Sequence, residues 1–297
     1  MPTNPPKPQP KRERRNKMAD INPSDVKKLR DATGAGMLDC KNALIDAKGD
    51  FEEAQKILRK KGLAAATKRE GRATTEGRLF IAIRDGKAAI CELTCETYFV
   101  AGNEKFKAFG EEIVNMILDA ETAEITPEIA DKVKEAISII KENMTLKRIR
   151  FFKLAANQKA YGYSHDGQIA SVVILESDNA AAFDNAAVAE LGNDIAMHIT
   201  AFHPQFISEE TVPQKFKDEQ MEIFAAQSEN LNKPADVLQK IMAGKLNKIY
   251  SEVCLTKQAF VRDDKQSVEK VIAAVAKQAG AALKPVDYVY YKVGIDE

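Results

Sequence analysis

The sequence lacks the motifs by which zinc sites, redox pairs and disulfide frameworks are usually recognised. It has only four cysteines and three histidines. No two cysteines form a C-x-x-C pair, and His198 and His203 are not part of an H-E-x-x-H motif. We therefore expect neither a metal site nor a disulfide framework. The thiols are predicted to be buried core side chains, namely Cys40, Cys91, Cys95 and Cys254.

Signatures of common enzyme classes are missing as well. The sequence contains no G-x-S-x-G motif and no Walker motif. The run Gly34-Ala35-Gly36 lacks the Gly-Lys-Ser/Thr ending of a phosphate loop. Acidic pairs such as Glu111-Glu112 are typical of solvated helix faces. We therefore expect no catalytic residues and no bound cofactor.

Long apolar runs are also absent, which argues against a signal peptide or a membrane anchor. Because nothing in the sequence indicates export and the cysteines form no framework, we expect a cytoplasmic protein that does not bind membranes.

The first 17 residues differ in composition from the rest of the chain. They hold five of the eleven prolines and six basic residues against one acidic residue, which leaves 38 basic and 43 acidic residues elsewhere. With almost no aliphatic side chain to bury, residues 1–17 are predicted to be a disordered, dispensable tail. The mildly acidic body favours no direct nucleic-acid binding. The alternative is an RNA- or ribosome-associated binding module that acts through the basic tail.

Residues 18–62 have the pattern of a small helical module. Asn22 can cap its first helix. Gly34 and Gly36 interrupt the helical pattern, and we expect positive φ in a tight turn there. Residues 63–78 are charged and glycine-containing, and we interpret them as a linker to the core.

The core shows an internal duplication. Apolar alternation around Asp85-Gly86 predicts a hairpin in residues 79–158, and the same pattern recurs around Asp166-Gly167 in residues 159–297. The helices that follow and a third strand in each copy match too. The matching segments are Phe106–Ile113 with Val188–Ile195, and Ile149–Leu154 with Tyr288–Val293. We predict an α+β fold of two related subdomains with antiparallel sheets.

The second copy is longer because of an insertion at about residues 208–254. Its apolar spacing predicts two helices joined by the loop Asn230–Lys233, with Pro234 opening the second helix. This antiparallel pair either projects as an arm or lies flat as an extra core layer.

The segment Thr97-Tyr98-Phe99-Val100 stands where a predicted strand ends and a helix is about to begin. One interpretation is that the aromatic pair fills the local core, as aromatic side chains usually do. The other is that the scaffold presents the pair to a partner, as loops at strand ends often do.

Two blocks of the sequence resemble bacterial elongation factor Ts. Cys91–Phe106 is similar to the Cys-x-Thr-Asp-Phe-Val stretch of that family, and Leu29–Leu44 is similar to its amino-terminal signature. The resemblance continues through Ile195–His198 and Leu255–Val261 and covers nearly everything from Met18 onward. One departure is Tyr98, where the family usually has Asp.

The resemblance implies a nucleotide exchange factor with no catalytic chemistry, whose partner is elongation factor Tu. It also implies that the amino-terminal module is a UBA-like bundle. In this family the Asp-Phe-Val tip is a wedge that enters the partner beside bound Mg²⁺ and GDP. The resemblance implies that this wedge is formed here by Thr97, Tyr98, Phe99 and Val100. The amino-terminal contact would involve Leu29, Arg30, Thr33, Gly34, Ala35, Gly36 and Met37. A contact with the carboxy-terminal domain of elongation factor Tu would involve Ile195, Met197 and His198. Without the resemblance, a structural role is the better interpretation of His198.

Overall fold

The computed structural model describes residues 21–228 and 234–295. The predictions for the tail 1–17 and for the loop Asn230–Lys233 lie outside these ranges. Residue contacts divide the chain into two units. The first holds the described residues up to Arg72 together with Lys134–Asn143, and the second holds Ala73–Val133 and the described residues from Met144 onward.

The first unit begins with three helices: α1 (Pro23–Thr33), α2 (Met37–Asp46) and α3 (Phe51–Thr67). The side chain of Asn22 caps α1 by accepting a hydrogen bond from the Ser24 amide. Asp50 caps α3 in the same way through the Glu53 amide, at 2.9 Å. The three helices enclose a small apolar core of Val26, Leu29, Cys40, Ala43, Leu44, Ala47, Ala54 and Leu58.

The connection between α1 and α2 corrects the prediction for its two glycines. Gly34 ends α1 in the left-handed region at φ 66°, whereas Gly36 precedes α2 at φ −64°, which any residue can adopt. The Gly34 amide donates to the Arg30 carbonyl at 2.7 Å, so Gly34 is a C-cap. A Cβ atom on Gly34 would also lie 3.2 Å from Cγ2 of Ile139. Only Gly34 therefore needs to be glycine for conformational reasons.

The second unit contains the two predicted sheets, and both are antiparallel. β1 (Glu76–Arg84), β2 (Lys87–Cys95) and β3 (Met144–Lys153) form the first, in the order β1-β2-β3. β4 (Gln158–His165), β5 (Ile169–Ser177) and β8 (Leu283–Lys292) form the second, in the order β4-β5-β8. The hairpin turns at Asp85-Gly86 and Asp166-Gly167 are confirmed, and all four residues have positive φ.

A long helix packs against each sheet. The short helix α4 (Tyr98–Ala101) precedes α5 (Glu104–Ala120) in the first copy. A 3-10 turn (Ala180–Asp184) precedes α7 (Ala186–Phe202) in the second. Along the chain, α6 (Pro127–Ile140) follows α5 and precedes β3.

A glycine brings each of these helices close to its sheet. A Cβ atom on Gly110 of α5 would overlap the ring of Phe80, and one on Gly192 of α7 would overlap the ring of Tyr161. Phe80 and Tyr161 occupy matching positions in β1 and β4, so in both copies an aromatic ring of the first strand packs against a glycine of the helix. The predicted α+β fold and its duplication are therefore present.

The remaining elements belong to the second copy. The helices α8 (Gln214–Ser228) and α9 (Ala235–Val253) pack on each other, followed by β6 (Ala259–Phe260), β7 (Asp263–Ser267) and α10 (Val268–Ala279). A small cluster that includes Val212, Tyr250 and Cys254 anchors the helix pair. Among the described residues, no helix combines the length and apolarity that crossing a bilayer demands.

The glycine correction predicts unequal effects of two matched substitutions. Gly34→Ala forces an L-residue into the left-handed region and should destabilise α1 and α2 by about 1–2 kcal/mol. Gly36→Ala should cost much less, since its backbone is unstrained. Native-state hydrogen exchange of the α1 and α2 amides measures both changes in the intact chain. Equal losses of protection in the two variants would contradict the assigned C-cap.

Candidate functional site

The segment predicted to be a wedge forms a capped turn at the end of the central strand of the first sheet. β2 ends at Cys95, and the Thr97 carbonyl accepts hydrogen bonds from the amides of Val100 and Ala101 at 3.1 and 3.2 Å. The Thr97 hydroxyl accepts a further bond from the Val100 amide at 3.4 Å. Asn103 then caps α5 through the Lys105 amide at 2.8 Å. The turn is thus fixed between the end of β2 and the start of α5.

The turn points its two aromatic side chains outward. Phe99 is 87% exposed and Tyr98 is 70% exposed, while Thr97 and Val100 are half-buried. Phe99 is the most exposed of the large apolar side chains in the described ranges. The interpretation that the pair fills the local core is therefore wrong. We call Thr97–Val100 the aromatic tip.

The second copy shows that the fold does not require aromatic residues at these positions. An offset of 82 residues aligns the connection after β2 with the connection after β5 without a gap, so that Asn103 matches the other helix cap, Asn185. Tyr98 and Phe99 then match Ala180 and Ala181, which are also exposed. Since alanines stand at the matching exposed positions, the fold does not explain the aromatic pair. This comparison between the copies was within reach of the sequence but was not made there.

The aromatic tip is followed by a charged pair at the start of α5 and preceded by a neutral thiol in β2. Glu104, at the start of α5, has a lowered pKa because Lys107 donates to its carboxylate at 2.7 Å. Within the sheet, burial raises the pKa of the Cys91 thiol, so this group stays neutral. All four cysteines are free and buried, as predicted. In the described ranges, no three His, Cys, Asp or Glu side chains are grouped as metal ligands.

The predicted amino-terminal contact residues lie in the first unit, on the connection between α1 and α2. Arg30 is exposed and Met37 is 49% exposed, whereas Thr33, Gly34, Ala35 and Gly36 are half-buried. Leu29 is fully buried, so its part in any contact would be to hold α1 in shape. The neighbouring Leu38 is 70% exposed and was missed, although an apolar residue beside Met37 at a helix start was a visible signal.

The third predicted group is mostly interior. His198 and Ile195 are fully buried, which leaves Met197 as the member with exposed surface. His198 Nδ1 accepts a hydrogen bond from the Val261 amide at 3.2 Å, so its Nε2 proton is donated to Gln258 Oε1 at 2.9 Å. Burial lowers the pKa of His198 and keeps the ring neutral. The geometry corresponds to the structural interpretation of this histidine.

The fold and the tip define a duplicated α+β scaffold that presents an apolar turn to its surroundings. Residues 96–295 match the family model described as Elongation factor TS. The chain is 43% identical to Elongation factor Ts of Treponema denticola over 277 residues, which is 93% of this chain and 99% of that protein. Elongation factor Ts of Clostridioides difficile is 37% identical over 288 residues, covering 93% of this chain and 94% of that relative. The chain belongs to the elongation factor Ts family of translation factors, which confirms the resemblance inferred from the sequence.

The exposure of the tip predicts a small effect of truncation on folding. Phe99→Ala should change the free energy of unfolding by less than about 0.5 kcal/mol, as is usual for surface substitutions. The matched control is Phe106→Ala in α5, where the ring is fully buried and its loss should cost about 3–5 kcal/mol. Urea unfolding followed by circular dichroism measures both. A large loss for Phe99→Ala would mean that the ring packs inside the protein.

Proposed function

We propose that the chain is a guanine nucleotide exchange factor that binds elongation factor Tu in its GDP-bound form and uses the aromatic tip as a wedge. Phe99 enters the nucleotide-binding domain, dislodges the groups that hold Mg²⁺ and so promotes release of GDP. The single observation that carries this proposal is the exposed Phe99, whose counterpart in the second copy is Ala181.

The physical basis is thermodynamic linkage. A protein that binds the nucleotide-free partner more tightly than the GDP-bound partner must lower the affinity for GDP by the same factor. Burial of one phenylalanine side chain contributes about 1.5–3 kcal/mol, which is comparable to typical coupling free energies of about 1–3 kcal/mol. One exposed ring that is buried only in the nucleotide-free complex is therefore sufficient to supply such a coupling. Loss of Mg²⁺ further weakens the charge clamp on the phosphates.

The tip does not act alone in this proposal. Four residues bury far less than the roughly 800 Å² per partner of a standard interface. Arg30 and Met37 in the first unit, together with Leu38 beside them, supply a second contact with the partner. Met197 supplies a third, on α7. These contacts provide affinity, and the tip provides the difference in affinity between the two states of the partner.

In this role the chain performs no covalent chemistry and needs no cofactor, and it works in the cytoplasm, where proteins are synthesised. The RNA- or ribosome-associated alternative depends on residues 1–17, which lie outside the described ranges, so we do not propose it.

Removing the wedge should slow exchange without weakening the scaffold. Phe99→Ala is expected to reduce the maximal rate of GDP release from elongation factor Tu severalfold or more, because the interaction made in the exchange complex is lost. Ile125→Ala is the control, since it removes an apolar side chain that is 52% exposed at another site. Stopped-flow release of a fluorescent GDP analogue gives both rates. A folded Phe99→Ala protein with full activity would refute the wedge.

The neighbouring position should respond differently. The resemblance places Asp where this chain has Tyr98, and a carboxylate forms hydrogen bonds roughly twice as strong as those of a neutral phenol. We expect Tyr98→Asp to exchange at least as fast as the unmodified protein. The same stopped-flow assay, run beside Phe99→Ala, tests this. A severe loss in Tyr98→Asp would show that the phenol ring itself contacts the partner.

A further inference from the structure

We propose that the buried thiol of Cys95 is a positioning residue for nucleotide exchange, because it fixes the carbonyl group from which the aromatic tip is built. This inference rests on the proposed function of the tip. It assigns a role to a cysteine that the sequence indicated only as a core side chain.

The geometry joins the thiol to the first turn of α4. Cys95 is fully buried at the end of β2, where it pairs with Glu76 of β1 and with Met144 of β3. Its Sγ lies 3.3 Å from the Thr97 carbonyl oxygen and donates to it. That oxygen also accepts hydrogen bonds from the amides of Val100 and Ala101. One carbonyl therefore connects the central strand of the sheet to the backbone on both sides of Phe99.

The second copy contains the same arrangement with different chemistry. The offset of 82 residues aligns Cys95 with Ser177 and Thr97 with Asn179. The hydroxyl of Ser177, which is also buried, donates to the Asn179 carbonyl at 2.9 Å. Thr97 and Asn179 both have extended backbones, with φ of −131° and −135° and ψ of 148° and 106°. Both copies, although they differ in sequence, have a small buried donor at this position. The contact is therefore a regular part of how this turn is formed.

The consequence for exchange is preorganisation of the tip. A wedge that is already ordered loses less conformational entropy on binding, and a small displacement of a positioned group lowers a rate markedly. Because Phe99 is 87% exposed, its direction depends mainly on the backbone of α4. Without the thiol, the Thr97 carbonyl loses this hydrogen bond from β2, and the orientations of the ring become more varied.

The decisive experiment compares Cys95→Ala, Cys95→Ser and Ser177→Ala in the full chain, with GDP release from elongation factor Tu as the assay. Cys95→Ala should lower the maximal rate about threefold to tenfold, the kinetic equivalent of one hydrogen bond, with little change in the half-saturating concentration. Cys95→Ser should retain exchange, because a hydroxyl already serves this purpose at Ser177. Ser177→Ala removes the matched contact in the second copy and should leave exchange unchanged.

A double-mutant cycle tests whether Cys95 acts through Phe99. In the Phe99→Ala background, Cys95→Ala should have no further effect on the rate. Hydrogen exchange at the amides of Val100 and Ala101 should be faster in Cys95→Ala than in the unmodified protein. These readouts separate a positioning role from a general loss of stability.

Four results would overturn the inference. The first three are full exchange activity in a folded Cys95→Ala protein, slow exchange in a folded Cys95→Ser protein, and independent effects of Cys95→Ala and Phe99→Ala in the cycle. The fourth is an equal slowing by Ser177→Ala, since the loss would then reflect the scaffold. Failure of the proposed function has a different signature, because Phe99→Ala alone would then release GDP as fast as the unmodified protein.

Discussion

The close approach of each long helix to its sheet is the constraint on which the second unit depends. Gly110 and Gly192 leave no room for a side chain where the rings of Phe80 and Tyr161 press on the helices. Because each helix must pass over its sheet at that point, the connection from the preceding strand has to reverse direction within a few residues. This reversal produces the short capped turn in each copy, directly after the end of the central strand. The position of the aromatic tip is therefore a consequence of core packing.

The duplication separates what the fold needs from what the function needs. Both copies keep the hairpin, the helix glycine, the asparagine cap and the buried donor at the end of the second strand. Only the first copy places exposed aromatic side chains on the turn, since Phe183 in the second copy is buried. An exposed phenylalanine gains nothing for folding, since burial is the source of its stabilising contribution. We propose contact with a partner as the reason for a phenylalanine where the second copy has Ala181.

Much of this arrangement could be predicted from the sequence because it depends on local patterns. The Asp-Gly turns and the alternating strands specify the hairpins, and the nearly equal offsets of the hairpins and the helices that follow reveal the duplication. Burial that depends on distant segments of the chain was harder to predict from the sequence. His198 shares its helix with Met197, and only the distant segment around Gln258 and Val261 decides which of the two is enclosed. The φ angles of Gly34 and Gly36 likewise depend on which of them ends the helix, and composition alone does not distinguish them.

The central claim is that Phe99 is exposed in the free protein and buried in the complex. The chain contains no tryptophan, so Phe99→Trp labelled with 5-fluorotryptophan gives a single ¹⁹F resonance that reports on this position alone. We predict that the resonance shifts when nucleotide-free elongation factor Tu is added to saturation, whereas an equally labelled Ile125→Trp protein shows no shift. An unchanged Phe99→Trp resonance in a complex isolated by gel filtration would contradict the account.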